Sequence, residues 1–188
     1  MTDRYAPEAF MRENVNPFEY ANHILLALSR GILLTTRRQQ TANTMTIGWG
    51  SIGIDWYLPI FTAYVRPGRY TYSCLMETPE FTVNIPVGNF DSRILGFCGT
   101  KSGRDVDKIA SLGLHLEMPE KISVPAIREF PLTLECRIVY SQPQDPAAIP
   151  PVLREKFHPQ NVDPRAPGVN RDFHTAFYGE IVAAYIIR

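Results

Sequence analysis

The shortages in this chain are the first guide. Lysine plus arginine and aspartate plus glutamate stand at 19 each, so the formal net charge is zero. Without a cationic surplus there is no general electrostatic footprint for nucleic acid or for an anionic membrane, and neither partner is expected. No uninterrupted apolar run approaches the ~20 residues that span a bilayer. Residues 1–16 are polar and of mixed charge, with no apolar signal core. Cysteine is scarce: Cys74, Cys98 and Cys136 are odd in number and widely spaced, which fits neither a disulfide framework nor a zinc pattern. The compartment this implies is a reducing cytoplasm. The four histidines, His23, His115, His158 and His174, show no metal-ligand spacing, and His-Glu-x-x-His is missing, so no metal site is expected. A Gly-x-Ser-x-Gly nucleophile elbow is missing as well. Lysine is rare, 4 against 15 arginines. Arginine suits bidentate phosphate contacts, although such a skew also follows from genome composition.

What is present reads as one domain over residues 1–188, with an N-terminal extension at 1–15. A chain of this length buries roughly 70% of its unfolded surface. Asn16-Pro17-Phe18-Glu19 carries helix-start chemistry, with Asn16 as N-cap, Pro17 at the first helical position and Glu19 three residues after the cap. Phe18, Ala21, Ile24, Leu25 and Leu28 then share one helical face, which Gly31 ends. Branched apolar runs predict strands at 32–36, 45–52, 58–65, 81–85, 132–140 and 176–187, with a polar turn at 37–42. Helices are expected at 69–77, 91–97 and 107–112, with Gly99 as a C-cap and Asp107 as an N-cap. Between 142 and 171 the chain is dense in proline and aperiodic, apart from a short helical stretch at 152–157. An excursion of that length inside a compact domain tends to be functional or mobile. Hairpin-spaced strands with short helices outside them predict a mainly β, antiparallel barrel rather than βαβ layers.

Several motifs invite chemistry. Gly48-Trp49-Gly50-Ser51-Ile52-Gly53 matches the dinucleotide fingerprint literally, but the following Ile54 to Pro59 cannot open the helix that fingerprint requires. Such glycines instead let a ligand or another backbone approach a strand closely. Gly99-Thr100-Lys101-Ser102-Gly103 lacks the spacing of a phosphate-binding P-loop. Arg66-Pro67-Gly68-Arg69-Tyr70-Thr71 joins a strand to a helix start, where free N–H groups, two guanidiniums and a hydroxyl would suit a phosphomonoester. It reads equally well as a solvated turn with surface arginines. The loop from Cys98 to Lys108 gathers small, hydroxyl and charged groups, and caps explain much of it structurally. No resolving cysteine or histidine lies near Cys98 in sequence, which argues against thiol chemistry. His174 precedes the last strand, in a structural or a catalytic role.

The strand of small and hydroxyl residues from Asn43 to Ser51 offers a flat, backbone-lined surface. With a phosphate socket beside it, that surface is what flavin mononucleotide (FMN) needs. The segments together resemble the flavin reductase-like family, specifically its flavoredoxin-type branch. The carriers are Asn43-x-Met45-Thr46-Ile47-Gly48-Trp49-Gly50-Ser51, Arg66-Pro67-x-Arg69-Tyr70-Thr71 and Phe81-Thr82-Val83-Asn84-Ile85-Pro86. Cys98-Gly99-x-x-Ser102-Gly103-Arg104-Asp105-x-Asp107-Lys108 and His174-x-x-Phe177-x-Gly179-Glu180-Ile181 complete the set, which covers about residues 17–187 in order.

The resemblance implies an FMN-binding split β-barrel, Greek-key-like and flanked by short helices, forming a homodimer with FMN near the subunit interface. It implies that Met45, Thr46 and Trp49, in the segment that also holds Asn43 and Ser51, line the flavin. It likewise implies Arg66, Arg69, Tyr70 and Thr71 around the phosphate, and further polar contacts from Asn84, Ser102 and Lys108. His174 would meet a nicotinamide at the open flavin face, with NAD(P)H a transient co-substrate. Two departures stand out: Ile109 replaces a frequent aromatic, and residues 142–171 follow no family pattern, which leaves the electron acceptor open. Three functions share these needs: an NAD(P)H-dependent FMN reductase, a flavoredoxin-like electron carrier and a non-enzymatic FMN-binding protein. In the first, the cofactor carries the chemistry and no protein acid or base is obligatory.

Overall fold

The computed structural model describes residues 11–163 and 170–188. Most of the N-terminal extension and part of the proline-rich excursion therefore lie outside the described residues. The elements run β1 (Arg12–Asn14), α1 (Ala21–Leu28), β2 (Ile32–Arg38), β3 (Thr41–Ile47), β4 (Gly50–Asp55), β5 (Leu58–Val65) and α2 (Tyr70–Glu77). They continue with β6 (Glu80–Ile85), α3 (Arg93–Thr100), α4 (Lys108–Leu112), β7 (Leu116–Glu117), β8 (Ala126–Ile127), β9 (Leu132–Pro143), α5 (Pro151–Phe157) and β10 (Thr175–Ile187).

One antiparallel sheet carries the molecule, in the order β3-β2-β6-β9-β10-β5-β4, with β1 pairing the far half of β10. The strand expected at 45–52 is in fact two. β3 pairs with β2 at one end of the sheet and β4 pairs with β5 at the other, and only Gly48 and Trp49 join them. The sheet thus curls into a barrel whose seam, among the described residues, has no ladder between β3 and β4. This is the split barrel the resemblance implies. Just past the crossing Gly50 is tightly enclosed: a Cβ there would lie 2.9 Å from the Thr62 carbonyl oxygen.

Alternation explains the two main apolar clusters. Along β2, Ile32 and Leu34 face the barrel core with Phe61, Phe81, Leu134 and Phe177. Leu33 points the other way, into a second cluster beneath α3 and α4 with Ile94, Cys98, Ile109 and Phe130. That second cluster fixes the α3–α4 segment onto the outer face of β2 and β3. Strands β9 and β10 slip register between Tyr178 and Gly179. A Cβ at Gly179 would lie 2.5 Å from the Phe81 ring, so the bulge and the glycine go together.

Three local expectations change. The first helix begins at Ala21, not after Asn16. The Asn16 side chain accepts from Phe18 N–H, and i→i+3 turns closed by the N–H groups of Glu19, Tyr20 and Ala21 delay the i→i+4 pattern. Consequently Ile24 and Leu28 are buried while Phe18 and Leu25 are exposed. The expected turn at 37–42 shrinks to Gln39 and Gln40, because β2 runs on to Arg38 and Gln39 adopts a left-handed φ of 51°. Gly99 is helical rather than a cap, since α3 continues to Thr100 and ends on Lys101. Asp107 does cap α4, accepting from Ala110 N–H at 3.1 Å.

Candidate functional site

The crossing at Gly48 and Trp49 decides where the site lies. Strand register brings residues distant in sequence to this one spot. Gly50 pairs with Ala63, which sets Trp49 beside Tyr64, and Thr175 pairs with Val65, which sets His174 opposite Arg66. The other wall comes from α2, which leaves β5 through the turn at Arg66 to Arg69, and from the α3–α4 segment packed on β3. Thr46 ties these walls together by donating its hydroxyl to the Leu95 carbonyl at 2.7 Å.

Two adjoining cavities result, sharing Met45, Thr46 and Arg69. The first, about 150 Å³, lies between the start of α2 and the α3–α4 loop, and Tyr70, Thr71, Ser102, Arg104 and Lys108 also line it. The second, about 290 Å³, runs over the crossing to Trp49, Tyr64, Arg66, Asn170 and His174. No aspartate or glutamate stands among the described residues lining either one, whereas Arg66, Arg69, Lys101, Arg104 and Lys108 all do. In a chain of zero formal charge, that is a local concentration of positive potential.

The loop end of this groove is electrostatically unfinished. Lys108 is only 4% exposed, and its ammonium donates to the Cys98 carbonyl at 3.3 Å. Burial lowers its pKa and the charge of Arg69 pushes the same way. One long hydrogen bond to a neutral carbonyl is little compensation for a buried cation, which favours an arriving anion. No side chain caps α2, so its first N–H groups add to that preference. Asn43 stands behind this end, 6% exposed, donating to the Thr71 hydroxyl at 3.0 Å. Gly103 lets the loop close on it: a Cβ there would sit 2.1 Å from Asn43 Oδ1 and 2.7 Å from the Tyr70 ring. Burial pushes the Cys98 thiol up to about 11, so it is protonated at neutral pH and is no nucleophile.

The other end is aromatic. Trp49 meets His174 at 4.6 Å between ring centroids and Phe157 at 5.4 Å edge-on. His174 is buried, and its Nδ1 has no hydrogen-bond partner. Burial, then the charges of Arg66, His158 and Arg69, lower its pKa to about 3, so the imidazole is neutral across the physiological range.

The structure therefore brings together Met45, Thr46, Trp49, Arg66, Arg69, Tyr70, Thr71, Ser102, Lys108 and His174, with Asn43 directly behind them. Two expected site residues do not join. Asn84 is fully buried in the core, donating to Thr35 and Thr82 and accepting from Ile127 N–H; it holds β6 to its neighbours. Ser51 lies exposed on β4 and lines neither cavity. Arg66 is present but differently employed: its guanidinium donates to the carbonyls of Asn170, Asp172 and Phe157 at 2.8, 2.9 and 3.2 Å. Tyr64, Lys101, Arg104, Asn170 and Asp172 were not anticipated at the site. Lys101 and Arg104 belong to a segment the sequence singled out, but nothing in the aperiodic excursion announces Asn170, nor anything just beyond it Asp172.

With this geometry in view, the comparisons with known proteins are specific. The model of the "Flavin reductase like domain" matches residues 27–188. An uncharacterized protein of Archaeoglobus fulgidus is 32% identical over 97 residues, 52% of this chain and 54% of that one. The chain thus spans about half the length of that curated relative. Among solved structures, flavoredoxin from Methanosarcina acetivorans superposes with a TM-score of 0.60 at 27% identity, over 83% of this chain and 67% of that one. Flavoredoxin of Desulfovibrio vulgaris (Miyazaki F) gives 0.59 at 24% identity, over 83% and 68%. The FMN-binding domain of a flavin reductases-like enzyme from Shewanella baltica gives 0.63 at 16% identity, over 96% and 79%. The last two similarities bear on the fold alone.

Proposed function

The chain belongs to the flavin reductase-like domain family, and from that premise we propose that it binds FMN along this groove and reduces it with NAD(P)H. The observation that carries the reading is a cation-lined groove continuous with a neutral aromatic pocket. A phosphomonoester fits the loop end, where Lys108, Arg69, Thr71 and Ser102 surround the uncapped start of α2. The strip from Met45 to Trp49 offers a flat floor, and the amides of Gly48 and Trp49 lie outside both flanking ladders. When bound, FMN supplies the redox chemistry, accepting hydride at its N5.

The protein's own part is placement. Trp49, Tyr64 and His174 form a wall against which a planar nicotinamide can lie. Because His174 is neutral, it can hydrogen-bond a carboxamide without adding a charge beside a ring that becomes cationic as hydride departs. Anaerobic mixing of pure protein and FMN with NADH or NADPH, followed by absorbance, tests the reading, with bleaching of the flavin bands as the expected result. A second reading, a flavoredoxin-like electron carrier, is favoured by the likeness to flavoredoxin from Methanosarcina acetivorans. It would show no bleaching with either nicotinamide and full bleaching with a chemical reductant. A homodimer, with both copies contributing to the flavin site, belongs to the same proposal. Sedimentation showing a monomer at micromolar concentration with FMN bound would remove it.

A further inference from the structure

The turn after β5 was expected to receive the phosphate, yet the chain already fills part of it. Three carbonyls, two from separate parts of the excursion and one just beyond it, converge on one guanidinium: those of Phe157, Asn170 and Asp172 on Arg66. The Asp172 carboxylate accepts from Gly68 N–H at 2.9 Å, and Asn170 Oδ1 accepts from Arg69 at 3.1 Å. His158 Nδ1 lies 3.0 Å from the Asp172 carbonyl, and its ring stacks on Phe173 at 4.6 Å. The segments so held press Phe157 and His158 against Trp49, whose ring lies 6.0 Å from the Arg66 guanidinium.

We propose that Arg66 is a positioning residue that latches residues 157–158 and 170–174 onto the Trp49 side of the groove, and that this latched wall, not a phosphate contact, is what Arg66 contributes. The latched wall then governs which second reactant reaches the flavin. Geometry favours the latch over the phosphate. A guanidinium holds three carbonyls in different directions because its donors are fixed in a planar fork. To grip a phosphate bidentately it would have to release some of them. Gly68 N–H is likewise taken by a carboxylate of the protein itself, so an anion at this turn would meet Asp172. Gly68 itself edges the loop-end cavity, but deeper in, Lys108 donates to the Cys98 carbonyl and no carboxylate lines that cavity among the described residues, so the phosphomonoester goes there. The wall is made by residues outside the segments that carry the family resemblance, apart from His174. It is therefore where this chain can differ from its relatives in the reactant it admits.

The inference rests on the reading of the groove as a flavin site, and the test separates the two. Arg66→Met and Asp172→Ala are compared with the unaltered protein by FMN titration, by KM and kcat for NAD(P)H, and by amide hydrogen exchange without flavin. In both variants, exchange at 157–158 and 170–174 is expected to rise about tenfold or more as local opening becomes easier. The FMN dissociation constant should stay within about threefold, and KM for NAD(P)H should rise about fivefold with kcat little changed. A merely structural latch would raise exchange without moving KM, which overturns the claim about the second reactant. Unchanged exchange in Arg66→Met overturns the latch, whatever happens to FMN. Should Arg66→Met lose both FMN and order, Asp172→Ala decides, because it loosens the wall without removing a cation. Retained FMN affinity there, with raised exchange and a raised KM, upholds the proposal, and loss of FMN overturns it. If the unaltered protein binds no FMN, the flavin reading fails on its own, and the claim about the second reactant falls with it.

Discussion

The two ends of the groove are built on opposite principles. At the loop end, positive charge is left with little internal satisfaction: Lys108 is buried beside a single carbonyl, and α2 begins without a side-chain cap. At the Trp49 end the protein satisfies its own cation, with three carbonyls on Arg66. An unfinished site is completed by a ligand, so its residues determine affinity. A finished one presents shape, so its residues determine admission. The same groove can thereby hold one cofactor firmly while exchanging its second reactant.

The strongest way to break the contrast is to spoil the loop end alone. Gly103→Val places atoms where Asn43 Oδ1 and the Tyr70 ring already are, at 2.1 and 2.7 Å from the first added carbon. Ser102 and the approach to Lys108 must then shift. FMN binding should weaken about a hundredfold, the scale of an overpacking strain expressed in affinity. Titration by flavin fluorescence measures it. If affinity holds, the loop does not carry the phosphate.

Lys108→Met sharpens the contrast further. A charge-assisted hydrogen bond of about 2 kcal/mol corresponds to roughly thirtyfold in affinity for FMN. Riboflavin lacks the phosphate, so its binding should barely respond, and the variant should narrow the gap between the two flavins. Thermal stability without ligand should hold or rise, because an apolar side chain of similar length removes a buried charge. Equal losses for FMN and riboflavin would move the phosphate away from Lys108.

Much of this was legible in the sequence, and the failures have physical causes. The two motifs at the loop end could be found because each is short, local and tied to a helix start: Arg69 with Thr71, and Ser102 through Asp107 to Lys108. The break at Gly48 and Trp49 was hidden because β3 and β4 are both strands, and periodicity does not reveal that successive strands join opposite ends of a sheet. Asn84 misled for a related reason. It was placed at the site by the family resemblance alone, but here the partners are Thr35 and the Ile127 amide, both far away in sequence, and Thr82 on the same strand. The engagement of Arg66 could not be read at all, since its acceptors are backbone carbonyls, which every residue possesses.

The smallest expected effect probes the Trp49 end through His174. Its native pKa is lowered to about 3, mainly by burial and secondarily by Arg66, against an unfolded value near 6.5. Above pH 6.5 the imidazole is neutral in both states and contributes no pH dependence. As pH falls from 6.5 toward 3, the unfolded chain takes up a proton that the native protein refuses, so stability declines through that window. His174→Gln keeps a polar side chain but cannot titrate, and its melting temperature should fall less steeply with acid than that of the unaltered protein. In kinetics the same variant should raise KM for NAD(P)H by about threefold, the scale of one neutral hydrogen bond, with FMN affinity unchanged. Because the native imidazole does not ionise between pH 5 and 8, that KM difference should be flat across the range. Parallel melting curves would show that His174 is no burial-strained base. A KM difference that appeared only below pH 7 would show that it works as an imidazolium, against the neutral contact argued from its burial beside two arginines.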